Sequence, residues 1–354
     1  MLQIRLFDEE LVTGKLDLPS GANKIKKIVI FVHGTGPGTY QDHRKFGTIE
    51  FNYFDYFAEE FNRRGVAFFV ANKRGVEVGD QPPFYDKVDR DKFEMVGPAN
   101  SAKDIASSIQ QLRKDKRLKN TKFLLFGWSE GTIIAAMVAD EKKNKVAGLF
   151  LAGYVHENMS DVIRWQNEGE SSMVAIRGYF DKNSDTKISK TEYESTDNVA
   201  TAMRTHGFKD ATFEQIDINK DAAIDKADFM LIRDAPYKLF LSKWEAKDED
   251  WIWQNYFRVS VNWLNEHSKL EANKSRMLRL KMPVYVFHGQ DDANCDVNWV
   301  GDLTSRFAKA KKTNLQTFIF KDHDHNLNFM TWVRTKTIPD GIKKIFEVSE
   351  ELSK

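Results

Sequence analysis

Residues 123–131 read Phe-Leu-Leu-Phe-Gly-Trp-Ser-Glu-Gly, and this stretch decides the fold. Lys122 to Gly127 is the apolar run of a strand buried on both faces, and Thr132 to Asp140 reads as a helix. Between them lies a G-x-S-x-G pattern centred on Ser129. Nucleophilic catalysis asks for a serine on a strained strand-to-helix turn. Glycines at 127 and 131 allow the close packing such a turn needs, and the next backbone N–H, that of Glu130, can face a developing oxyanion.

Outward from this turn the chain alternates strand-like and helix-like segments. Leu2 to Phe7 and Val12 to Leu18 read as a hairpin, and Lys27 to Val32 as another strand buried on both faces. Phe51 to Arg64 has helical spacing at Phe54, Phe57, Ala58 and Phe61 and stops at Gly65; Val66 to Ala71 returns to strand. Ser101 to Lys114 is the next helix and Lys145 to Ala152 the next strand. This winding predicts an α/β domain with a doubly wound, mostly parallel sheet.

From about Val155 to Met282 the rhythm gives way to an acidic, aromatic, mostly helical stretch. It resumes with strands at Val284 to Phe287 and Leu315 to Phe320 and helices at Val297 to Lys309 and Gly341 to Leu352. Residues 1–154 and 280–354 are therefore read as one catalytic domain, and 155–279 as a helical cap inserted into it.

Composition narrows the partners. Lys plus Arg number 53 against 52 Asp plus Glu, so no net field holds the protein on nucleic acid or an anionic membrane. A small-molecule acyl substrate is the expected partner. With 41% hydrophobic residues in 354, a large core is affordable, yet the longest apolar stretch, around Val146 to Val155, is too short to span a bilayer. Met1 to Glu10 lacks the basic and apolar regions of a signal peptide, so the chain is expected to be soluble. Its single cysteine, Cys295, excludes an internal disulfide, which suits a reducing compartment and many exported bacterial proteins alike.

A nucleophilic serine needs a base and an orienting acid, expected later in the chain at strand ends. Val284-Tyr-Val-Phe-His-Gly-Gln-Asp-Asp292 ends one strand with two carboxylates, and Phe320-Lys-Asp-His-Asp-His-Asn326 ends the next with two histidines. On these residues the chain resembles the α/β-hydrolase superfamily, and more narrowly bacterial esterases whose acid lies three residues after a strand-end glycine and whose histidine sits in a D-x-D-H-x-[FL] context. The resemblance implies Asp292, three residues after Gly289, and His325, within Asp322-His-Asp-His-Asn-Leu327. Asp291 and His323 are the alternatives. Ser129 would attack a carbonyl carbon, His325 would move its proton, and Asp292 would hold the imidazole.

Phe31-Val-His-Gly-Thr-Gly-Pro-Gly38 resembles the H-G-[ST]-G-P loop of the same esterases and implies the Thr35 amide as second oxyanion donor, with Gly36 as alternative. There is no phosphate-binding glycine pattern to compete with this reading. Asn72-Lys-Arg-Gly75 resembles their D-x-R-G loop with Asn72 in place of the acid.

The insertion carries a second pattern. Asp181-Lys-Asn-Ser-Asp-Thr-Lys-Ile-Ser-Lys-Thr-Glu192 has oxygen side chains and an apolar residue where an EF-hand loop requires them. Asp217-Ile-Asn-Lys-Asp-Ala-Ala-Ile-Asp-Lys-Ala-Asp228 repeats it 36 residues later. The resemblance to paired EF-hands implies calcium at 181–192 held by Asp181, Asn183, Asp185, the Lys187 carbonyl and Glu192. At 217–228 it implies calcium or magnesium held by Asp217, Asn219, Asp221, the Ala223 carbonyl and Asp228, with Ile188 and Ile224 paired between the loops. The sixth position, normally glycine, is Thr186 in one loop and Ala222 in the other, each costing about 1 kcal/mol if φ is positive there. Asp228 is shorter than a glutamate, so the second site is expected to be weaker. No organic cofactor is implied.

Three functions compete at this point. The first is a carboxylesterase using an acyl-enzyme mechanism, and the second a serine peptidase or thioesterase on the same fold. The third is a calcium-binding module on a catalytically inactive hydrolase scaffold. Of the cap aromatics Trp244, Trp251, Trp253, Tyr256, Phe257 and Trp263, most are expected in its core and a minority in an acyl pocket over Ser129.

Overall fold

The computed structural model describes residues 1–21 and 24–351. The expected end of the last helix at Leu352, and with it residues 352–354, lies outside the described residues.

Eight strands form the main sheet: β1 (Leu2–Arg5), β2 (Leu11–Asp17), β3 (Lys27–Val32), β4 (Ala67–Ala71), β5 (Lys122–Trp128), β6 (Gly148–Ala152), β7 (Val284–Gly289) and β8 (Leu315–Phe320). Their order is β1-β2-β4-β3-β5-β6-β7-β8. β1 pairs antiparallel with β2 and β2 antiparallel with β4; every later pairing is parallel. Alternation along β3 divides the core. Ile28, Ile30 and Val32 face a layer containing α2 (Pro98–Leu112), α3 (Gly131–Asp140) and α4 (Asn298–Lys309), while Val29 and Phe31 face α1 (Tyr53–Arg63) and α5 (Asp340–Glu351). A strand covered on both faces must be largely apolar; the six residues of β3 are all buried, and from Ile28 to Val32 all are apolar.

Several element boundaries differ from the sequence reading, among them β6, which begins at Gly148 and not at Lys145. The aromatic spacing predicts a helix from Phe51, but Ile49–Asn52 pairs with His43–Phe46 in a small antiparallel ribbon, and α1 begins at Tyr53. The Asn52 side chain caps it, accepting from the Phe54 and Asp55 amides. α2 starts at Pro98 after Gly97, three residues before Ser101, with proline in the first turn, where its missing N–H costs nothing. A second short ribbon, Val76–Val78 with Asp86–Val88, and the helix Phe329–Thr335 carry no sequence signal that identified them.

The segment between β6 and β7 is mainly helical and has two apolar clusters. One, with Met159, Val162, Phe240, Ile252, Trp263 and Leu264, packs on Ile133 of α3 and on Cys295. The other, with Met173, Ile176, Phe180, Phe213 and Phe229, surrounds the two acidic loops. No helix among the described residues is long and apolar enough to cross a membrane.

Candidate active site

Ser129 sits where β5 turns into α3, at φ 54°. A non-glycine residue there is strained by about 1–2 kcal/mol, and the surroundings hold it. The Ser129 N–H donates to the Ala152 carbonyl at 2.9 Å, and the Thr132 hydroxyl donates to the Ser129 carbonyl at 2.8 Å. The flanking glycines are steric necessities: a Cβ on Gly127 would lie 2.3 Å from the Gly131 carbonyl oxygen, and one on Gly131 would lie 2.1 Å from that of Val32.

Asp292 and His325 meet at the ends of β7 and β8. The His325 Nδ1 lies 2.9 and 2.8 Å from the two Asp292 carboxylate oxygens, so Nδ1 carries the proton and Nε2 keeps its lone pair. The Asp292 side chain is wholly buried, and its Oδ1 also accepts the Asn294 and Cys295 amides at 2.8 and 2.9 Å. Burial works to raise the Asp292 pKa, but the His325 imidazole and these hydrogen bonds leave it below the usual value. For His325 burial works downward and the Asp292 charge prevails, leaving its pKa raised. Gly153, at the end of β6, makes room for the ring, since a Cβ there would lie 2.6 Å from His325 Cε1.

His288, one residue before Gly289, completes the acid's surroundings. Its Nδ1 accepts the Tyr154 N–H at 3.1 Å, which leaves the proton on Nε2, donated to the Cys295 carbonyl at 3.0 Å and 3.4 Å from Asp292 Oδ2. The alternatives lie elsewhere. Asp291 turns outward to Arg177 at 3.2 Å, and the half-buried His323 ring contacts the Lys321 carbonyl at 2.7 Å.

Ser129 and His325 line one cavity of about 530 Å³, with Gly34, Thr35 and Trp128 from the sheet domain and Met159, Val162, Gln166, Tyr256 and Phe257 from the segment after β6. Their side chains share that cavity without a Ser129–His325 hydrogen bond among the described residues. Thr35 faces the cavity and Gly36 does not; a Cβ on Gly36 would lie 2.6 Å from the Phe257 carbonyl oxygen. Neither the Thr35 nor the Glu130 amide is spent on a protein acceptor among the described residues. Tyr256 and Phe257 are the two of the singled-out aromatics that reach the cavity; Trp263 is buried in the cluster beneath. Arg258 fixes their turn with two bonds to Asp86, at 2.9 and 2.7 Å.

Sequence reasoning missed the groups behind the nucleophile. The Glu130 side chain is fully buried, and its Oε1 accepts Trp263 Nε1–H at 2.8 Å and His267 Nε2–H at 3.0 Å. Burial pushes its pKa up, but the nearby Lys73 charge and these hydrogen bonds hold it down at about 2. Nothing in a pentapeptide pattern reveals which partners its variable positions will meet.

The acidic loops lie apart from this cavity. Thr186 and Ala222 adopt φ 71° and 69°, the left-handed region that favours glycine, and Ile188 pairs with Ile224 across an antiparallel bridge. In the first loop Asp181 accepts the Asp185 and Thr186 amides at 3.2 and 3.1 Å, Asn183 accepts the Asp185 amide at 2.9 Å, and Glu192 accepts the Lys182 amide at 3.0 Å. The second repeats this: Asp217 accepts Asp221 and Ala222 at 3.2 and 3.1 Å, Asn219 accepts Asp221 at 2.9 Å, and Asp228 accepts Ile218 at 2.8 Å. The Lys187 ammonium reaches from the first loop to Asp225 at 3.0 Å and Asp221 at 4.0 Å. The donor types and their order fit a hard divalent cation, but their spacing is loose. Among the described residues, three acidic, histidine or cysteine donors lie within 4.8 Å of one another only at Asp292, Cys295 and His325.

A family model for the alpha/beta hydrolase fold matches residues 27–329. No curated protein sequence matches the chain. Among solved structures it is similar to Est1E from Butyrivibrio proteoclasticus with ferulic acid bound, at 12% identity and TM-score 0.52, over 100% of this chain and 98% of that one. It is similar to a thermostable carboxyl esterase from Bacillus coagulans at 14% identity and TM-score 0.54, over 99% and 96%. An acylaminoacyl peptidase from Pyrococcus horikoshii matches at 12% identity and TM-score 0.52, over 99% of this chain and 40% of that one. At such identities the likeness shows a shared fold.

Proposed function

The chain belongs to the α/β-hydrolase family, and from that premise we propose that it is a serine hydrolase cleaving carboxylic esters through an acyl-enzyme. The observation that carries this reading is the Asp292–His325 pair opening into the cavity that also holds Ser129 on its strained turn. Ser129 Oγ attacks the acyl carbonyl carbon as His325 Nε2 takes its proton. The tetrahedral oxyanion forms against the Thr35 and Glu130 amides and collapses as His325 protonates the departing alcohol. Water then repeats the sequence on the acyl-enzyme and frees the acid. Asp292 stays ionised throughout and stabilises the imidazolium.

The cavity walls at Phe51, Phe54, Phe257 and Phe329 suit the apolar part of an ester, beside polar groups at Arg44, Lys45, Gln166 and Asn294. A panel of p-nitrophenyl esters, acyl thioesters and peptide amides tests this. Highest kcat/KM on esters supports it, and highest kcat/KM on thioesters or amides replaces it with the thioesterase or peptidase reading.

We also propose that the cap binds calcium through Asp181, Asn183, Asp185, the Lys187 carbonyl and Glu192, with a weaker site at Asp217, Asn219, Asp221, the Ala223 carbonyl and Asp228. The repeated donor order, the Ile188–Ile224 bridge and the left-handed sixth positions support this. The lysine ammonium beside Asp221 weakens the second site by partly supplying the charge an ion would bring.

A further inference from the structure

The Asn72-Lys73-Arg74-Gly75 loop departs from the family pattern at its first residue, and the structure gives each side chain a task. Together with Ala71 it grips the loop that carries Thr35 at several points. The Ala71 carbonyl accepts His33 Nε2–H at 2.8 Å, the Asn72 side-chain carbonyl accepts the Tyr40 N–H at 2.7 Å, and the Lys73 N–H donates to the Gly38 carbonyl at 2.9 Å. Arg74 turns the other way, to Asp8 and Asp104 at 2.7 and 2.8 Å. The Lys73 side chain remains, and its ammonium donates to the carbonyl of Gly34.

Gly34 and Thr35 share one planar peptide unit. In a trans peptide the C=O and N–H point in opposite directions, so a group holding the Gly34 oxygen aims the Thr35 N–H the other way. Thr35 lines the cavity with Ser129, and its amide has no other protein partner among the described residues. A cation on the carbonyl end also draws electron density from the amide nitrogen and makes its N–H a stronger donor.

We propose that Lys73 is a positioning residue of the oxyanion hole, which fixes and polarises the Gly34–Thr35 peptide from behind. The proposal rests on the reading of Ser129 as nucleophile. Burial lowers the Lys73 pKa and the Glu130 charge works against that shift, while the Glu130 amide forms the other side of the oxyanion site. The positive charge of Lys73 thus stands behind the Thr35 peptide, at the Gly34 carbonyl. Lys73 touches neither substrate nor reacting atoms, and its effect appears where negative charge develops on the carbonyl oxygen.

The test compares the parent with Lys73→Met on an activated short-chain ester and on two ketones of that acyl group. The trifluoromethyl ketone adds Ser129 and carries an oxyanion; the methyl ketone binds without one. Loss of Lys73 is expected to lower kcat about tenfold to a hundredfold with little change in KM, less than or comparable to removing a direct donor. The Ki of the trifluoromethyl ketone should rise by the same factor while that of the methyl ketone stays within about twofold. Lys73→Met leaves a buried carboxylate without its countercharge; if it does not fold, Lys73→Met with Glu130→Gln removes both charges and takes the same measurements. A kcat within about twofold of the parent, or equal rises in both ketone constants, overturns the proposal. A parent that neither hydrolyses the ester nor adds the trifluoromethyl ketone overturns the Ser129 reading itself, which separates the two failures.

Discussion

The indole Nε1–H of Trp263 donates to Glu130 Oε1 at 2.8 Å, fastening a helix of the segment between β6 and β7 to the residue that follows Ser129. His267, one turn further along that helix, binds the same oxygen at 3.0 Å. The segment between β6 and β7 is therefore tied to Glu130 as well as lining the cavity.

Trp263→Phe keeps most of the apolar volume and deletes one donor to a buried carboxylate. Hydrogen bonds to charged groups contribute about 1.5–3 kcal/mol, so chemical denaturation should show a loss in that range. An unchanged midpoint would mean that the bond contributes nothing to holding the cap.

Asp292→Asn should lower turnover by about ten-thousandfold, because an amide in that place stabilises the wrong imidazole tautomer. Asp291→Asn should cost little, since its partner Arg177 forms an exposed pair of the kind that contributes about 0–1 kcal/mol. Steady-state kinetics of the two variants, with equal losses or the reverse order, would reassign the acid.

The acid side of the pH profile follows from His325. Its neutral form is the base, and Asp292 raises its pKa above the ordinary 6.5. The rate kcat/KM should therefore be full at alkaline pH and fall as pH drops through an apparent pKa above 6.5. A limb centred below that value would show that Asp292 does not act on the imidazole.

Much of this arrangement is legible in the sequence, and the boundary has a physical cause. β3 from Ile28 and β5 from Phe123 are buried on both faces and so are apolar; G-x-S-x-G is local because Gly127 and Gly131 answer a clash within one turn. The choice between Asp291 and Asp292 is not local. Both end the same strand, and only the folded loop turns one inward to His325 and the other outward to Arg177. The meeting of Glu130 with Trp263 and His267 carries no pattern because two segments far apart in sequence make it. The start of α1 was misplaced because Phe51 continues the helical aromatic spacing while its backbone pairs with Arg44.

Calcium should stabilise the cap by mass action. At 100 times its dissociation constant a ligand bound only by the folded state contributes about 2.7 kcal/mol, which moves a melting midpoint by several degrees. Thermal melting in EGTA and in millimolar calcium, on the parent and Glu192→Gln, reads this. The parent should shift and the variant should shift less; no shift in the parent and no heat on calorimetric titration would leave both loops as solvated acidic turns.

The central claim is that Ser129 is the nucleophile. A fluorophosphonate should add once to the parent, with the adduct on Ser129 by peptide mass spectrometry, and not to Ser129→Ala, whose ester turnover should fall to no more than about a thousandth of the parent's. A parent that stays unlabelled and inactive, or a Ser129→Ala variant that is still labelled and still turns over ester, would contradict it.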